Sequence, residues 1–297
     1  MSESIHFLAL VDELSALAQV DAILLAGSRA SGLADSYSDY DVYVYLNAPL
    51  AAKTRQKLVA KHCQYLELNN QFWETEDDGV LLDGIEIELI YRDFSFLENE
   101  LHNLVERHQA KVGYSTCFWA NLLDSKILYD ANGEAKRLQQ RFDVAYPRAL
   151  QQAIVNKNAP LLMQQMPAYY FQLAKALKRQ DRVSLNHRCA EFLASYFDIL
   201  FAINGLPHPG EKRMLEYAEL HCNICPDQLA ENVERLLAEV GQAADSLLDT
   251  VSLLSENLQQ VVTTQTSLAW PKSRSKTDLS NTEKSQSLTK RSSYSDG

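Results

Sequence analysis

Residues 24–46 read LLAGSRASGLADSYSDYDVYVYL, and this stretch decides the fold. The apolar run 22–26 ends at Gly27, which fits a buried strand closed by a residue free to turn sharply. A loop of small and polar residues follows through 39, with a further glycine at Gly32. Residues 41–46 then alternate, placing Val42, Val44 and Leu46 on one face of a strand and Asp41, Tyr43 and Tyr45 on the other. The unit is therefore strand, Gly27-Ser28, loop, Asp39-x-Asp41, strand. The chemistry follows from residue type. Ser28 offers a hydroxyl, and the backbone N–H groups around it can form an anion-binding nest. Asp39 and Asp41, two apart on an extended segment, project the same way, and convergent carboxylates suit Mg²⁺.

Working outward, a helix is expected over 4–18 before this unit, and a helix at 50–62 and a strand near 64–68 after it. Residues 79–93, GVLLDGIEIELIYRD, read as a hairpin turned at Asp83-Gly84. Ile85, Ile87 and Leu89 would face inward, and Glu86 and Glu88 would share the opposite face. Either glutamate can supply a third carboxylate for metal-assisted phosphoryl chemistry. Helices over 95–109 and 117–123, a strand at 126–130 and a helix at 134–142 complete the first part.

From Pro147 the pattern is helical only, with helices near 148–156, 160–179, 183–203, 211–221 and 226–261. The expected fold class is α+β: a small mixed-sheet domain at 1–145, an all-α bundle at 146–262, and a disordered Ser/Thr/Lys-rich tail at 263–297. The longest apolar run, Phe192 to Ile203, contains Asp198 and is too short to span a bilayer, so no membrane partner is expected.

The 297 residues carry 28 Lys+Arg against 39 Asp+Glu, a net charge of −11, and 46% hydrophobic residues. That composition excludes a fully disordered chain and argues against a nucleic-acid surface. From residue 271 onward six basic residues face three acidic ones, so the rest carries about −14. Five scattered cysteines and an N-terminus without a basic leader point to a reducing cytoplasm.

At Gly27-Ser28, Gly32, Asp39-Tyr40-Asp41 and Glu86 or Glu88 the sequence resembles the polymerase-β-like nucleotidyltransferase superfamily. The small-molecule branch, which includes the kanamycin and other aminoglycoside nucleotidyltransferases, pairs such a domain with a helical bundle. Residues 187–215 also resemble an uncharacterised bacterial domain found after such domains. The resemblance implies transfer of NMP from an NTP, ATP first, to a hydroxyl of an unidentified acceptor. It implies Mg²⁺ or Mn²⁺ on Asp39, Asp41 and Glu88, the last also a general base. Gly27, Ser28, Arg29 and Lys212 would bind the nucleotide. A plainer reading keeps Arg29 as a solvated loop arginine and Lys212 as part of a solvated first helical turn. A non-catalytic nucleotide-binding or antitoxin-like module is the alternative. Arg182-x4-His187 loosely matches the HEPN ribonuclease pattern, and Cys222-x2-Cys225 beside His221 lacks the second ligand pair of a zinc site.

Overall fold

A computed structural model describes residues 3–31 and 38–271, without the Ser31 side chain. Gly32 and the basic residues from Lys272 onward lie outside the described residues. The chain forms two units. The first comprises residues up to 107 and 116–145, the second 108–115 and the chain from 146.

In the first unit the order is α1 (Ile5–Ser15), β1 (Val20–Leu25), α2 (Gly27–Ser31), β2 (Tyr40–Leu46), α3 (Ala52–Val59), β3 (Cys63–Asn70), β4 (Thr75–Leu81), β5 (Glu86–Arg92), α4 (Phe94–Leu101), α5 (Cys117–Asp124), β6 (Lys126–Asp130) and α6 (Glu134–Phe142). The six strands form one mixed sheet in the order β3-β4-β5-β2-β1-β6. Only β2 and β5 pair in parallel, Asp41 beside Glu88 and Val44 beside Tyr91. Side chains alternate, so residues paired across strands share a face. Tyr40, Val42 and Val44 of β2, Ile23 and Leu25 of β1 and Ile87 and Leu89 of β5 meet Phe7, Leu10 and Leu14 of α1 and Leu58 and Val59 of α3 in one apolar core. Burying each such aliphatic side chain is worth about 1.5–3 kcal/mol. Farther along the other face Tyr45 stacks on Phe94 at 4.2 Å, so β2 is covered on both sides.

The hairpin forms as its Asp83-Gly84 signal predicts, with Gly84 at φ +88°. It starts earlier than the sequence suggests. Residues 75–78, TEDD, which precede the expected hairpin, belong to β4, where Asp77 is buried under a network. Its carboxylate accepts from Asn69 N (2.8 Å) and the Tyr91 hydroxyl (2.9 Å) and pairs with Arg55 of α3 (3.4 Å).

The second unit holds α7 (Arg148–Ala159), α8 (Tyr169–Lys178), α9 (Arg182–Ile203), α10 (Met214–His221), α11 (Leu229–Gln242) and α12 (Leu247–Gln265). Two long helices expected from periodicity are broken. Pro160–Gln164 makes a π turn ahead of α8, and Ala243 at φ +53° separates α11 from α12. The expected tail also begins too early at 263: α12 runs through Gln265, Leu268 is buried, and Trp270 packs on the helical core.

Residues 108–115, expected in the first domain, are built into the second unit by polar contacts that periodicity cannot reveal. Gly113 N donates to Asn158 Oδ1 at 2.9 Å, and Ser115 N and Oγ donate to Asp198 at 2.9 and 2.7 Å. Asn158 Nδ2 donates to Asp198 at 3.0 Å. Burial pushes the Asp198 carboxyl up to about 6, against the pull of these donors. No helix among the described residues is long and apolar enough to cross a membrane.

Candidate active site

The end of β1 and the start of β2 are tied where Ala26 N donates to Asp41 O at 2.8 Å. The next residue, Gly27, has φ +63°, and a Cβ built on it would lie 1.7 Å from Asp41 Oδ2. Glycine is required here twice, for the backbone conformation and for the carboxylate pressed against it. Ser28 follows, half-buried, in the short helical turn α2.

Strand pairing extends the site across the sheet. Asp41 of β2 lies beside Glu88 of β5, and Glu88 lies opposite Asp78 of β4. These three carboxylates, with Glu76 two residues before Asp78, share the face opposite the apolar core. Glu88 is half-buried, and its carboxyl is held above the usual range first by burial, then by Asp41, Asp39, Asp78 and Glu76. Asp39 is half-buried just before β2. Glu86 is exposed at the start of β5, opposite Val80.

The sequence reading missed Asp78 and Glu76. The hairpin register contained them: with Val80 opposite Glu86, Asp78 must stand opposite Glu88 and Glu76 opposite Ile90.

Among the described residues no three His, Cys, Asp or Glu side chains are already gathered tightly enough to hold a metal ion. The donor set nevertheless fits a hard divalent cation. It consists of carboxylate oxygens, Asp41 is seated in the cradle that Gly27 leaves, and Glu88 is crowded by like charge.

Arg29 is half-buried and turns part of its guanidinium onto the main chain. Its Nε donates to Ser38 O (3.0 Å) and Asp39 O (2.9 Å), its Nη2 donates to Ser38 O (2.6 Å), and the guanidinium lies 4.1 Å over the Tyr40 ring. Arg92 forms a two-pronged ion pair with Glu74 and sits over the Tyr43 ring at 4.2 Å. Lys212 is exposed in the turn before α10, in the second unit.

The remaining motifs resolve into structure. Cys222 and Cys225 are free thiols, the first pushed up to about 12 by burial, and His221 packs on Tyr217 at 4.5 Å. Arg182 and His187 both lie on α9, where a five-residue spacing puts them about 140° apart around the helix. His187 is 63% exposed and pairs with Glu191. Tyr169 belongs to the helical core.

Residues 9–110 match the family described as nucleotidyltransferase domain, and residues 118–214 match a domain of unknown function, DUF4037. No curated protein matches the chain in sequence. Three solved structures are similar at low identity. A nucleotidyltransferase-like protein from Exiguobacterium sibiricum is 13% identical, over 86% of this chain and 72% of that one, with a TM-score of 0.41. An aminoglycoside 6-adenyltransferase from Bacillus subtilis is 10% identical, over 91% and 94%, with a TM-score of 0.31. The Thermotoga maritima CCA-adding enzyme, complexed with tRNA, is 9% identical, over 87% and 80%, with a TM-score of 0.24. At these scores the likenesses lend no weight to any substrate. The Gly27–Asp41 approach and the Asp41–Glu88 pairing both fall within the first family match, and the chain carries a nucleotidyltransferase domain at 9–110 followed by a DUF4037 domain at 118–214.

Proposed function

We propose that this chain is a divalent-metal-dependent nucleotidyltransferase that moves NMP from an NTP, ATP first, to a hydroxyl of a small acceptor. The observation that carries it is the placing of Asp41 against Gly27 and beside Glu88 within a nucleotidyltransferase domain. Asp39, Asp41 and Glu88 would hold Mg²⁺ or Mn²⁺. When bound, the cation would offset charge on the phosphoryl oxygens and the leaving pyrophosphate. The backbone at Gly27-Ser28 would take the triphosphate. Glu88, its carboxyl raised by burial and then by neighbouring carboxylates, is suited to accept the acceptor's hydroxyl proton. The hydroxyl oxygen would bond to the α-phosphorus as the bond from that phosphorus to the pyrophosphate oxygen breaks. The helical domain at 146–262 would select the acceptor, with Lys212 a candidate triphosphate contact. A row of carboxylates favours a cationic acceptor, and the acidic chain argues against nucleic acid. A cytoplasmic setting follows from the cysteine usage.

The test is calorimetric titration of MgATP into wild type and Asp39→Asn/Asp41→Asn, with mass spectrometry of products from labelled NTPs and a panel of hydroxylated amines. Wild type should bind MgATP, release pyrophosphate and label an acceptor, and the double variant should do none of these. Absence of MgATP binding, or activity surviving in the double variant, refutes the assignment.

A second reading rests on the carboxylates not being already gathered. The domain would then bind nucleotide without transfer. Tight MgATP binding with no pyrophosphate release across the panel would favour it.

A further inference from the structure

Arg29 stands out because its guanidinium is spent on the main chain. Three hydrogen bonds, at 2.6–3.0 Å, join it to the carbonyls of Ser38 and Asp39, the two residues that lead into Tyr40-Asp41. Its central carbon, Cζ, lies 4.1 Å from the centre of the Tyr40 ring. That ring stacks on Phe7 of α1 at 3.9 Å, and its hydroxyl accepts from Ser4 N (3.0 Å) and donates to Glu3 (2.9 Å). Tyr40 is fully buried. The guanidinium therefore sits between an anchored ring and two successive carbonyls. Gly27, two residues before it, abuts the Asp41 carboxylate. The Gly27-Ser28-Arg29 turn thus grips the Asp39-x-Asp41 segment twice, at the backbone before Asp39 and at the side chain of Asp41.

We infer that Arg29 is a positioning residue: it fixes the backbone from which Asp39 and Asp41 project, so that both carboxylates face one cation before any nucleotide arrives. The inference rests on the nucleotidyltransferase reading above. The physical reason is entropic. Holding a residue's backbone in one conformation carries an entropic cost, and charge-assisted hydrogen bonds to two successive carbonyls can offset it. Only a planar fork reaches both carbonyls while sitting over a ring. A lysine keeps the charge but offers a point donor.

A brace and a phosphate ligand predict different losses. A brace acts on metal alone. A phosphate ligand acts on nucleotide, and lysine should largely replace it. The test measures Mn²⁺ binding by electron paramagnetic resonance without nucleotide, and ATP binding in EDTA, for wild type, Arg29→Lys, Arg29→Met and Asp41→Asn. Circular dichroism melts confirm that each variant is folded. Arg29→Met should weaken Mn²⁺ binding by about tenfold or more, the equivalent of one charge-assisted hydrogen bond. Arg29→Lys should not rescue it, and metal-free ATP binding should stay within about twofold in both, well below the same constant. If Arg29→Lys restores Mn²⁺ affinity, or if both variants keep wild-type Mn²⁺ affinity, the positioning role is refuted. If wild type itself binds no Mn²⁺, or Asp41→Asn binds it equally well, the parent reading fails instead. Should Arg29→Met melt below room temperature, Tyr40→Phe supplies the second variant. It removes the hydroxyl that ties the ring to Ser4 and Glu3, so Mn²⁺ affinity should fall about threefold or more, and wild-type Mn²⁺ affinity would refute the brace.

Discussion

Gly27→Ala puts the closest approach in the site to a direct test. The introduced Cβ would lie 1.7 Å from Asp41 Oδ2, whereas contacts under 3.0 Å essentially never occur, so the carboxylate must retreat by at least 1.3 Å. Two costs add. Holding alanine at φ +63° costs about 1–2 kcal/mol, and driving Asp41 off its rotamer about 0.5–1.5 kcal/mol. The sum, about 1.5–3.5 kcal/mol, should lower the melting temperature of the first unit by about 5–15 °C. Function should suffer more, because a misplacement near 1 Å can cost about 100-fold in rate. The assay pairs thermal melts with Mn²⁺ affinity and pyrophosphate release under MgATP. Gly27→Asn separates the two effects. Asparagine tolerates a left-handed backbone but still carries a Cβ, so it should melt closer to wild type and be equally impaired in Mn²⁺ binding. Wild-type Mn²⁺ affinity in Gly27→Ala would refute the argument that Asp41 is seated by the glycine.

Three further outcomes are expected. Glu88 has a folded pKa above its ordinary value, so its ionisation opposes folding: stability is highest at low pH and is lost as pH rises from about 4.5 through that raised value. Glu88→Gln should therefore raise the melting temperature at pH 7, flatten its pH dependence, and abolish the stabilisation by Mg²⁺; an unchanged Mg²⁺ effect would count against Glu88 as a ligand. Asp78→Asn should lower the Glu88 titration midpoint, read by carbon-13 NMR of the carboxyl carbon, and no movement would show that the row is not electrostatically connected. Asp198→Ala should destabilise the helical unit by about 3 kcal/mol or more in urea melts, because buried donors on Ser115 and Asn158 lose their acceptor.

Much of the site could be read before any coordinates. Gly27, the Asp39-x-Asp41 spacing and the hairpin turn at Gly84 carry local signals, because each depends on a backbone conformation or an alternation within a few residues. What the sequence hid was non-local. Arg29 faces carbonyls nine and ten positions away, and a carbonyl has no letter in the sequence. Asp77 and Asp78 sit side by side in an acidic run. One is buried under Arg55 and the other is aligned with Glu88, a split visible only once the strand register is known. The helix breaks after Gln164 and at Ala243 carry no signal in the apolar spacing, which continues through both.

The excursion of residues 108–115 bears on the order in which the molecule is made. These eight residues leave the ribosome well before Asn158 and longer still before Asp198, the groups that complete their hydrogen bonds. The first unit, meanwhile, closes its sheet only with β6, which follows them in the chain. The nascent chain must therefore hold this stretch in reserve between two parts of one folding unit until α9 of the other has been synthesised. Neither unit corresponds to a continuous run of codons, and splitting the gene at residue 145 would strand Gly113 and Ser115 on the wrong fragment.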